Sequence, residues 1–411
     1  MSTTYSVVSG DTYERIARKV YGTGQEATRI QRANPGIEEP LSVGITLIIP
    51  ALPSAPVNRP PTTPSVNPDE VAVIIDGERF RFWKELRINL AIDAFSTIEF
   101  TVPFDSSRQD LRDTFRPFRY RSVQVTVGGE VLFTGTMLHA PPVLKPESKT
   151  IHAACYARPG VLLDCTAPAS AYPLESNNLR LDAIARSLCE PFGLSVSLVG
   201  DAGPIFRRVA HDPHKKVLPF LNKLAKQRNF VMTDTAEGEL LFWKSISTGA
   251  PVATFVQGVP PFEGATPKFD GQEYYSHVTG TGPVFIGGRG RQHTILNPHL
   301  RDVLRPMTVK FEDALVGDEK LAAEAAIARM FGNIAAFDIN LPDWRDPQGN
   351  LWEPNTTIDV TAPDAMIYNP YEFLIRTVTL KATPTSRTAT LDIVVPGSFS
   401  GLIPERLPWD D

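Results

Sequence analysis

From Val71 onward the chain alternates apolar and polar residues with a period of two, the pattern of strands that bury one face. VAVII, FRFWKELRINLAI, TIEFTVP, SVQVTV, EVLFTGTMLHA and TIHAACYA read as six short strands, joined by turns such as Asp76-Gly77 and Gly128-Gly129. So many strands without long helices predict a small β-barrel over residues 69–168. Over 169–300 the period changes. A helix is expected across residues 179–190, with Leu181, Ile184, Ala185 and Leu188 on one face and Pro191 and Gly193 ending it. A second should open at Asp212-Pro213, cap then first-turn proline, and bury Val217, Phe220, Leu221 and Leu224. The hairpin NFVMTD–TAEGE–LLFWK completes an α+β middle domain. Asp318 then starts the helix EKLAAEAAIARMFG, which is expected to close on Gly332 with its glutamates on a solvated face. The strands AAFDINL, TTIDVTA, EFLIRTVTLKA and TATLDIVV follow, predicting a second barrel within 301–411.

The two strand-rich regions share an order. SVQVTV, EVLFTGTMLHA and TIHAACYA line up with TTIDVTA, EFLIRTVTLKA and TATLDIVV. In each, an edge-type strand precedes a bent apolar one, then a proline-containing turn (Pro141-Pro142, Pro384), then an alternating strand. Either the chain holds two copies of one barrel flanking the middle domain, or two small barrels simply look alike. The fold class expected is therefore α+β, mainly β.

Residues 1–50 follow a different plan. TYSVV is a short strand, Asp11 opens a helix with Glu14 three residues on, and Ile16 and Ala17 supply its apolar face. A second helix near residues 26–33 stops at Asn34-Pro35-Gly36, and Leu47-Ile48-Ile49 returns as a strand. The motifs Tyr5-x-Val7, Gly10-Asp11-Thr12, Ile16-Ala17, Tyr21-Gly22, Ile30, Ala33-Asn34-Pro35, Leu41-x-x-Gly44 and Leu47-x-Ile49-Pro50 resemble the LysM module. That resemblance implies a groove for N-acetylglucosamine, or for a protein partner, formed by Gly10, Asp11, Thr12, Asn34, Pro35, Gly36 and Ile37. The LysM modules of phage baseplates resemble internal fasteners, which favours a protein partner. Residues 51–68 contain six prolines and little to bury. Such a semi-rigid linker spans on the order of 50 Å at about 3 Å per residue.

Composition narrows the chemistry. With 42% hydrophobic and 21% charged residues, the 411-residue chain is ordinary globular protein, large enough for about two to four domains. A net charge of −5 argues against a protein that grips phosphates, though not against one that lets DNA slide past. Cys155, Cys165 and Cys189 are odd in number and lack CxxC spacing, so reduced buried thiols are expected rather than disulfides or zinc. The first residues show no apolar signal region, and no run approaches 18 apolar residues, so neither an export signal nor a membrane span is expected. His211-Asp212-Pro213-His214 has no third ligand spaced nearby and fits a helix start better than a metal site. Gly287-Gly288-Arg289-Gly290-Arg291 lacks the Lys-Ser/Thr of a phosphate loop and reads as a mobile basic loop. GxSxG and HExxH are absent as well. No enzyme, metal or cofactor is expected.

One stretch remains, DWRDPQGNLWEPN at 343–355, holding two of the five tryptophans. Asp346-Pro347-Gln348-Gly349 fits a type I turn. With HDPHKKVLPFLNKLAKQRNF, the AEGELLFWK hairpin and EKLAAEAAIARMFG, it resembles the baseplate hub proteins of Mu-like contractile-tailed phages, which share their architecture with type VI secretion spike hubs. The resemblance spans roughly residues 70–400 and does not include the LysM unit, which many such hubs lack. It implies a homotrimer whose doubled barrels match a sixfold tail tube on one side and a threefold spike on the other. The implied partners are the tube or its initiator, the spike and the baseplate wedges, with DNA passing through unbound and assembly in the host cytoplasm into a virion tail. Trp344, Arg345, Asp346, Pro347, Leu351 and Trp352 then either anchor a subunit or tube interface or pack the chain's own core. The competing reading is a peptidoglycan-binding LysM protein or cell-wall hydrolase.

Overall fold

The two-residue turns set the frame. The computed structural model describes residues 3–21, 27–50, 69–246, 249–282, 290–310 and 318–410, in two compact units that divide after Asn67. Asp76-Gly77 and Gly128-Gly129 take left-handed φ values of 49°, 84°, 61° and 90°. These are the mirror-image turns whose twist matches a hairpin's.

In the first unit β1 (Thr3–Ser6) pairs antiparallel with β2 (Thr46–Ile49), and α1 (Tyr13–Tyr21) and α2 (Ala27–Ala33) lie between them in sequence. Ile16, Ala17, Ile30 and Leu47 are fully buried, giving the βααβ core that was expected. The cap differs from expectation. The Arg15 amide donates to Thr12 Oγ1, so Thr12 rather than Asp11 starts α1. The Asp11 carboxylate instead accepts from the Val8 amide, Tyr5 and Lys19. The proline-rich 51–68 lies outside the described residues.

The second unit opens with β3 (Val71–Ile75), β4 (Glu78–Phe80), β5 (Glu85–Ala91), β6 (Thr97–Pro103), α3 (Gln109–Thr114), β7 (Ser122–Val127), β8 (Glu130–His139), β9 (Pro142–Lys145) and β10 (Ser148–Ala157). Of FRFWKELRINLAI only residues 85–91 form a strand of their own, β5; Phe80 ends β4 and residues 81–84 lie between the two. The middle region carries α4 (Val161–Asp164), β11 (Glu175–Leu179), α5 (Leu181–Cys189), β12 (Val196–Leu198), β13 (Phe206–Ala210), α6 (Val217–Gln227), β14 (Val231–Asp234) and β15 (Leu240–Trp243). Its own core joins Leu181, Ile184, Leu188, Val217, Leu221, Leu224, Phe230 and Phe242. α6 begins four residues later than expected, because the Asp212 carboxylate accepts from the His214 amide and makes a turn of Asp212-Pro213 instead of a cap.

Next come β16 (Ala253–Val256), β17 (Ala265–Phe269), β18 (His277–Thr281), β19 (Gln292–Leu296), β20 (Pro306–Lys310), α7 (Asp318–Ile334), β21 (Ala335–Leu341), β22 (Thr357–Ala362), β23 (Ile367–Ala382) and β24 (Arg387–Val394). α7 runs through Gly332 rather than stopping there. A Cβ at that position would stand 2.9 Å from the Ser398 Cβ, so the glycine admits the segment after β24 against the helix. Of the helix glutamates, Glu324 faces Lys320 across a turn, but Glu319 is buried, contrary to the solvated face expected. β16 and β17, which fall within the range expected for the middle domain, pair with β22 and β21 instead.

The two strand-rich regions do not form separate closed barrels. They share one 14-stranded sheet, in the order β17-β21-β24-β23-β5-β6-β10-β8-β7-β3-β4, with β16 and β22 branching from β23 and β9 from β10. Neither region's pairing path returns on itself, because each leaves an edge strand open. The architecture of this unit remains mainly β, with helices in the middle region and with α3 and α7 beside the strands.

The middle region is fastened to the β5–β6 turn. Thr233 Oγ1 donates to the Ala91 and Ala94 carbonyls, Trp243 Nε1 to the Ile92 carbonyl, and the Ser96 amide donates to Asp234 over 2.6 Å. Burial raises the Asp234 carboxyl to about 6. An acid whose folded-state pKa exceeds its unfolded value holds the fold best when protonated, so this group withdraws stability as pH rises from about 4 to 6. Replacing Asp234 with Asn should remove that slope, a difference of up to about 3 kcal/mol between variant and parent across the window. Urea unfolding at pH 4 and pH 7 measures it, and parallel curves for the two proteins would refute it.

Candidate functional site

The strand pairing repeats. Around the first region the order is β3-β7-β8-β10-β6-β5, and around the second it is β16-β22-β23-β24-β21-β17. β7 answers to β22, β8 to β23 and β10 to β24, as the three aligned sequence strands require. Four of the five pairings are antiparallel along both paths; the exception is the first, where β3 runs antiparallel to β7 but β16 runs parallel to β22. The bends correspond too. β8 carries an irregularity on its β7 side and another opposite Ala154/Cys155; β23 carries them on its β22 side and between Ile375 and Thr377. Where the long strand turns, the Met137 amide donates to the Arg121 carbonyl and the Ile375 amide to the Thr356 carbonyl, both over 2.9 Å. Similarity of small barrels in general does not explain so many coincident features, so the duplication expected from the sequence is present in the fold.

The copies meet at one ladder. Along one edge, β23 pairs with β22 over Ile367–Leu374 and with β5 over Thr377–Ala382. Leu86, Ile88 and Leu90 lie opposite Ala382, Leu380 and Val378, and all six are buried. On the other face of the same junction lies an open groove of about 640 Å³, among whose lining residues are Glu85, Arg87, Glu99, Thr101, His152 and Lys381. Hydroxyls and amides recur across that face: Asn89 bonds Thr97 and Thr379, Asn340 bonds Thr390, and Lys268 pairs with Asp338. Several of its polar groups bond one another.

The 343–355 segment links β21 to β22, the place that α3 occupies between β6 and β7. The Gly349 amide donates to the Asp346 carbonyl, closing the expected turn, and Asp346 Oδ1 accepts from the Gln348 and Asn350 amides. Arg345 bonds Asp69 at 3.0 Å and the Gly349 carbonyl at 2.7 Å. Its hydrogen bond, with help from Arg387, holds the Asp69 carboxyl below the usual carboxylate range. Both indoles point inward. Trp344 is 1% and Trp352 3% exposed, and their N–H groups donate to Thr388, Lys381 and Asp343 carbonyls. The rings therefore belong to the chain's own core and are not presented to a neighbour, because their N–H groups find partners only there. Leu351 is half-buried, and Pro347 is exposed at the turn's tip.

In the N-terminal unit the two loops of the expected groove do come together. Tyr13 at the start of α1 donates from its hydroxyl to the Ile37 carbonyl and from its amide to Glu39. Gly10, Pro35 and Gly36 are exposed, and Thr12 and Ile37 are half-buried. Asp11 and Asn34 are buried and engaged internally, Asn34 with Ile30 and Ile48. They shape the loops rather than face a ligand.

Other candidates are structural. His211 is buried against Phe220, where desolvation lowers its pKa, and His214 is exposed four-residue-turn material. Among the described residues no group of His, Cys, Asp or Glu is arranged to hold a metal. Cys155 and Cys189 are buried and their thiols pushed up by desolvation; Cys165 is half-buried. Gly287, Gly288 and Arg289 lie outside the described residues. Among those described, no helix is long and apolar enough to cross a membrane.

Fold and site define a protein built around a repeated strand order, with an α+β middle region bonded to the turn after β5. Residues 159–244 match the family described as baseplate hub protein gp44-like, second domain. The baseplate hub protein gp44 of Escherichia phage Mu is 22% identical over 334 residues, covering 75% of this chain and 83% of that protein. The 43 kDa tail protein of prophage MuSo2 from Shewanella oneidensis has the same fold, with TM-score 0.68 and 21% identity over 80% of this chain and 99% of that one. An Escherichia coli component of the type VI secretion system is more distant, with TM-score 0.50 and 12% identity over 81% of this chain and 79% of that one. Residues 159–244 thus carry a gp44-like hub domain, and the second unit is similar in sequence and fold to Mu-like baseplate hub and tail proteins.

Sequence reasoning found the repeat but missed the ladder that joins its copies. The signal was the length of the second bent strand, too long for its hairpin partner alone. Truncating Trp352 to Ala should destabilise the second unit by about 3–5 kcal/mol, as large core aromatics do. A shift in the denaturation midpoint reads this out, and an unchanged midpoint would show that the indole is not core.

Proposed function

We propose that the chain is a trimeric symmetry adapter at the baseplate hub, joining a sixfold tail tube to a threefold spike and enclosing the passage for DNA. The single observation that carries this reading is the repeated strand order. Two similar sheets per chain give six in a trimer, so one ring can meet a sixfold partner with near-equivalent contacts while keeping threefold symmetry elsewhere. Head-to-tail contacts between different patches close into rings when the rotation allows. The hydroxyl- and amide-rich face across the copies suits a passage wall. A trimer would carry three times −5, about −15, which also favours sliding over binding.

The chain divides, on this reading, into an N-terminal LysM-type unit at 1–50, a linker at 51–68, a first hub domain at 69–168, a middle domain at 169–300 and a second hub domain at 301–411. β16 and β17 extend the second hub domain structurally. The N-terminal unit serves as a fastener to tube or wedge proteins, its exposed Gly10, Pro35 and Gly36 forming the contact. Virion assembly takes place in the host cytoplasm.

Light scattering on the purified chain is expected to give three times 45.2 kDa, about 136 kDa. A persistent 45.2 kDa monomer that sediments with purified peptidoglycan would instead favour a wall-binding protein.

A further inference from the structure

The link that carries Trp344 and Trp352 in the second copy has a counterpart in the first, and the two treat their aromatics oppositely. Between β21 and β22 both indoles are buried, and Arg345 meets Asp69 at 3.0 Å. Between β6 and β7 the link ends in Phe115-Arg116-Pro117-Phe118-Arg119-Tyr120-Arg121, of which only Phe115 is buried. Phe118 is 85% and Tyr120 61% exposed. Both take left-handed φ values, 60° and 49°, which bulky side chains seldom adopt.

Both ends of this loop are fixed. Phe115 packs edge-on against Phe80, with ring centroids 5.5 Å apart. At the other end Arg121 pairs with Asp76 and donates to the Asp113 carbonyl, while Asp76 also accepts from the Ser122 amide. The neighbouring β4–β5 loop adds Phe82, half exposed and packed 5.9 Å from the same Phe80. Backbone strain of this kind persists where the surroundings impose it, and it clusters at recognition sites. A loop ordered in advance loses little entropy on binding.

Charge says what the loop takes. Arg79, Arg108 and Arg121 each pair with a carboxylate. Among the described residues no ion pair or side-chain hydrogen bond holds Arg81, Arg116 or Arg119, all exposed. Exposed aromatics beside free guanidiniums have the composition of protein-binding anchors, and a guanidinium is matched by a carboxylate. In the second copy that carboxylate is Asp69 of the chain itself; here it has to come from outside. A nucleic acid fits less well. The cleft of about 500 Å³ beside the loop is lined by Asp76, Glu78, Asp110 and Asp113 as well as by arginines, so a continuous phosphate backbone would run against carboxylates.

We propose that the Arg116–Tyr120 loop docks a different protein through an acidic, partly apolar segment. Phe118 and Tyr120 take its apolar side chains, and Arg116 and Arg119 its carboxylates. The partner's place in a tail rests on the hub reading; the binding itself does not.

Fluorescence anisotropy on the purified full chain tests this with three probes: a labelled peptide of three Glu-Leu-Asp-Phe repeats, the same peptide with lysine in place of its acids, and a twelve-nucleotide oligothymidylate. The acidic peptide should bind, and the other two should bind at least about tenfold more weakly. Phe118→Ala with Tyr120→Ala, and separately Arg116→Glu with Arg119→Glu, should each weaken the acidic peptide at least about tenfold. Mass and circular dichroism should not change, because all four side chains are exposed. Arg207→Glu with Lys215→Glu, an equal charge change on the middle region, should leave the affinity within about twofold. Absence of binding overturns the proposal, as does binding that survives the loop variants or falls equally with Arg207 and Lys215. Tighter binding of the oligothymidylate, lost with Phe118→Ala and Tyr120→Ala, assigns the loop to single-stranded nucleic acid and also overturns it. A fall in mass with the loop variants makes the loop a contact between copies and overturns it, leaving the trimeric reading. A monomeric chain that binds as expected overturns the trimeric reading alone.

Discussion

The ladder between β5 and β23 is the constraint on which the second unit is built. β23 has 16 residues, and β22 covers only its first half. The irregularity near Arg376 swings the remainder away, so the second half of that edge needs another strand, and β5 supplies it from nearly 300 residues earlier in the chain. Buried backbone amides and carbonyls without partners are strongly disfavoured. A long bent strand with half an open edge is therefore an instruction to join something, and within the chain that something is the other copy.

The middle region stabilises this joint from one side. Thr233, Asp234 and Trp243 all bond the short turn that leaves β5, fixing the strand end just where it meets β23. Arg376 at the bend pairs with Asp93 in the same turn. From another side, α7 lies against the end of the second copy, close enough that Gly332 has no room for a side chain. The region matched as the gp44-like second domain thus has a mechanical task legible in its contacts: it braces the place where the copies meet.

Much of this was legible in the sequence where local rules decide. Period-two alternation found most strands of the two repeats but not β9, β11 to β13 or β16 to β20, which are short or weakly alternating, and the Asp-Gly and Gly-Gly dipeptides fixed their turns through positive φ. The tandem alignment of three strands was sufficient to reveal the repeat. What escaped was non-local. Nothing in FRFWKELRINLAI says that its second half pairs with residues 377–382, since a strand's alternation shows which face is buried but not which neighbour lies at its edge. The Trp344 and Trp352 rings were open to two readings for the same reason: an indole suits a core or an interface equally until its N–H partner is known. Asp11 and Asp212 misled as helix caps, because a carboxylate that satisfies loop amides looks the same in sequence as one that starts a helix.

The proposed trimer stands on alternation of the two copies of each chain around a threefold axis. An electron cryomicroscopy map of the intact tail tip tests this most directly. It should show six similar sheets in a ring, the two copies of each chain alternating around a threefold axis. A ring in which the two copies of each chain do not alternate would contradict it.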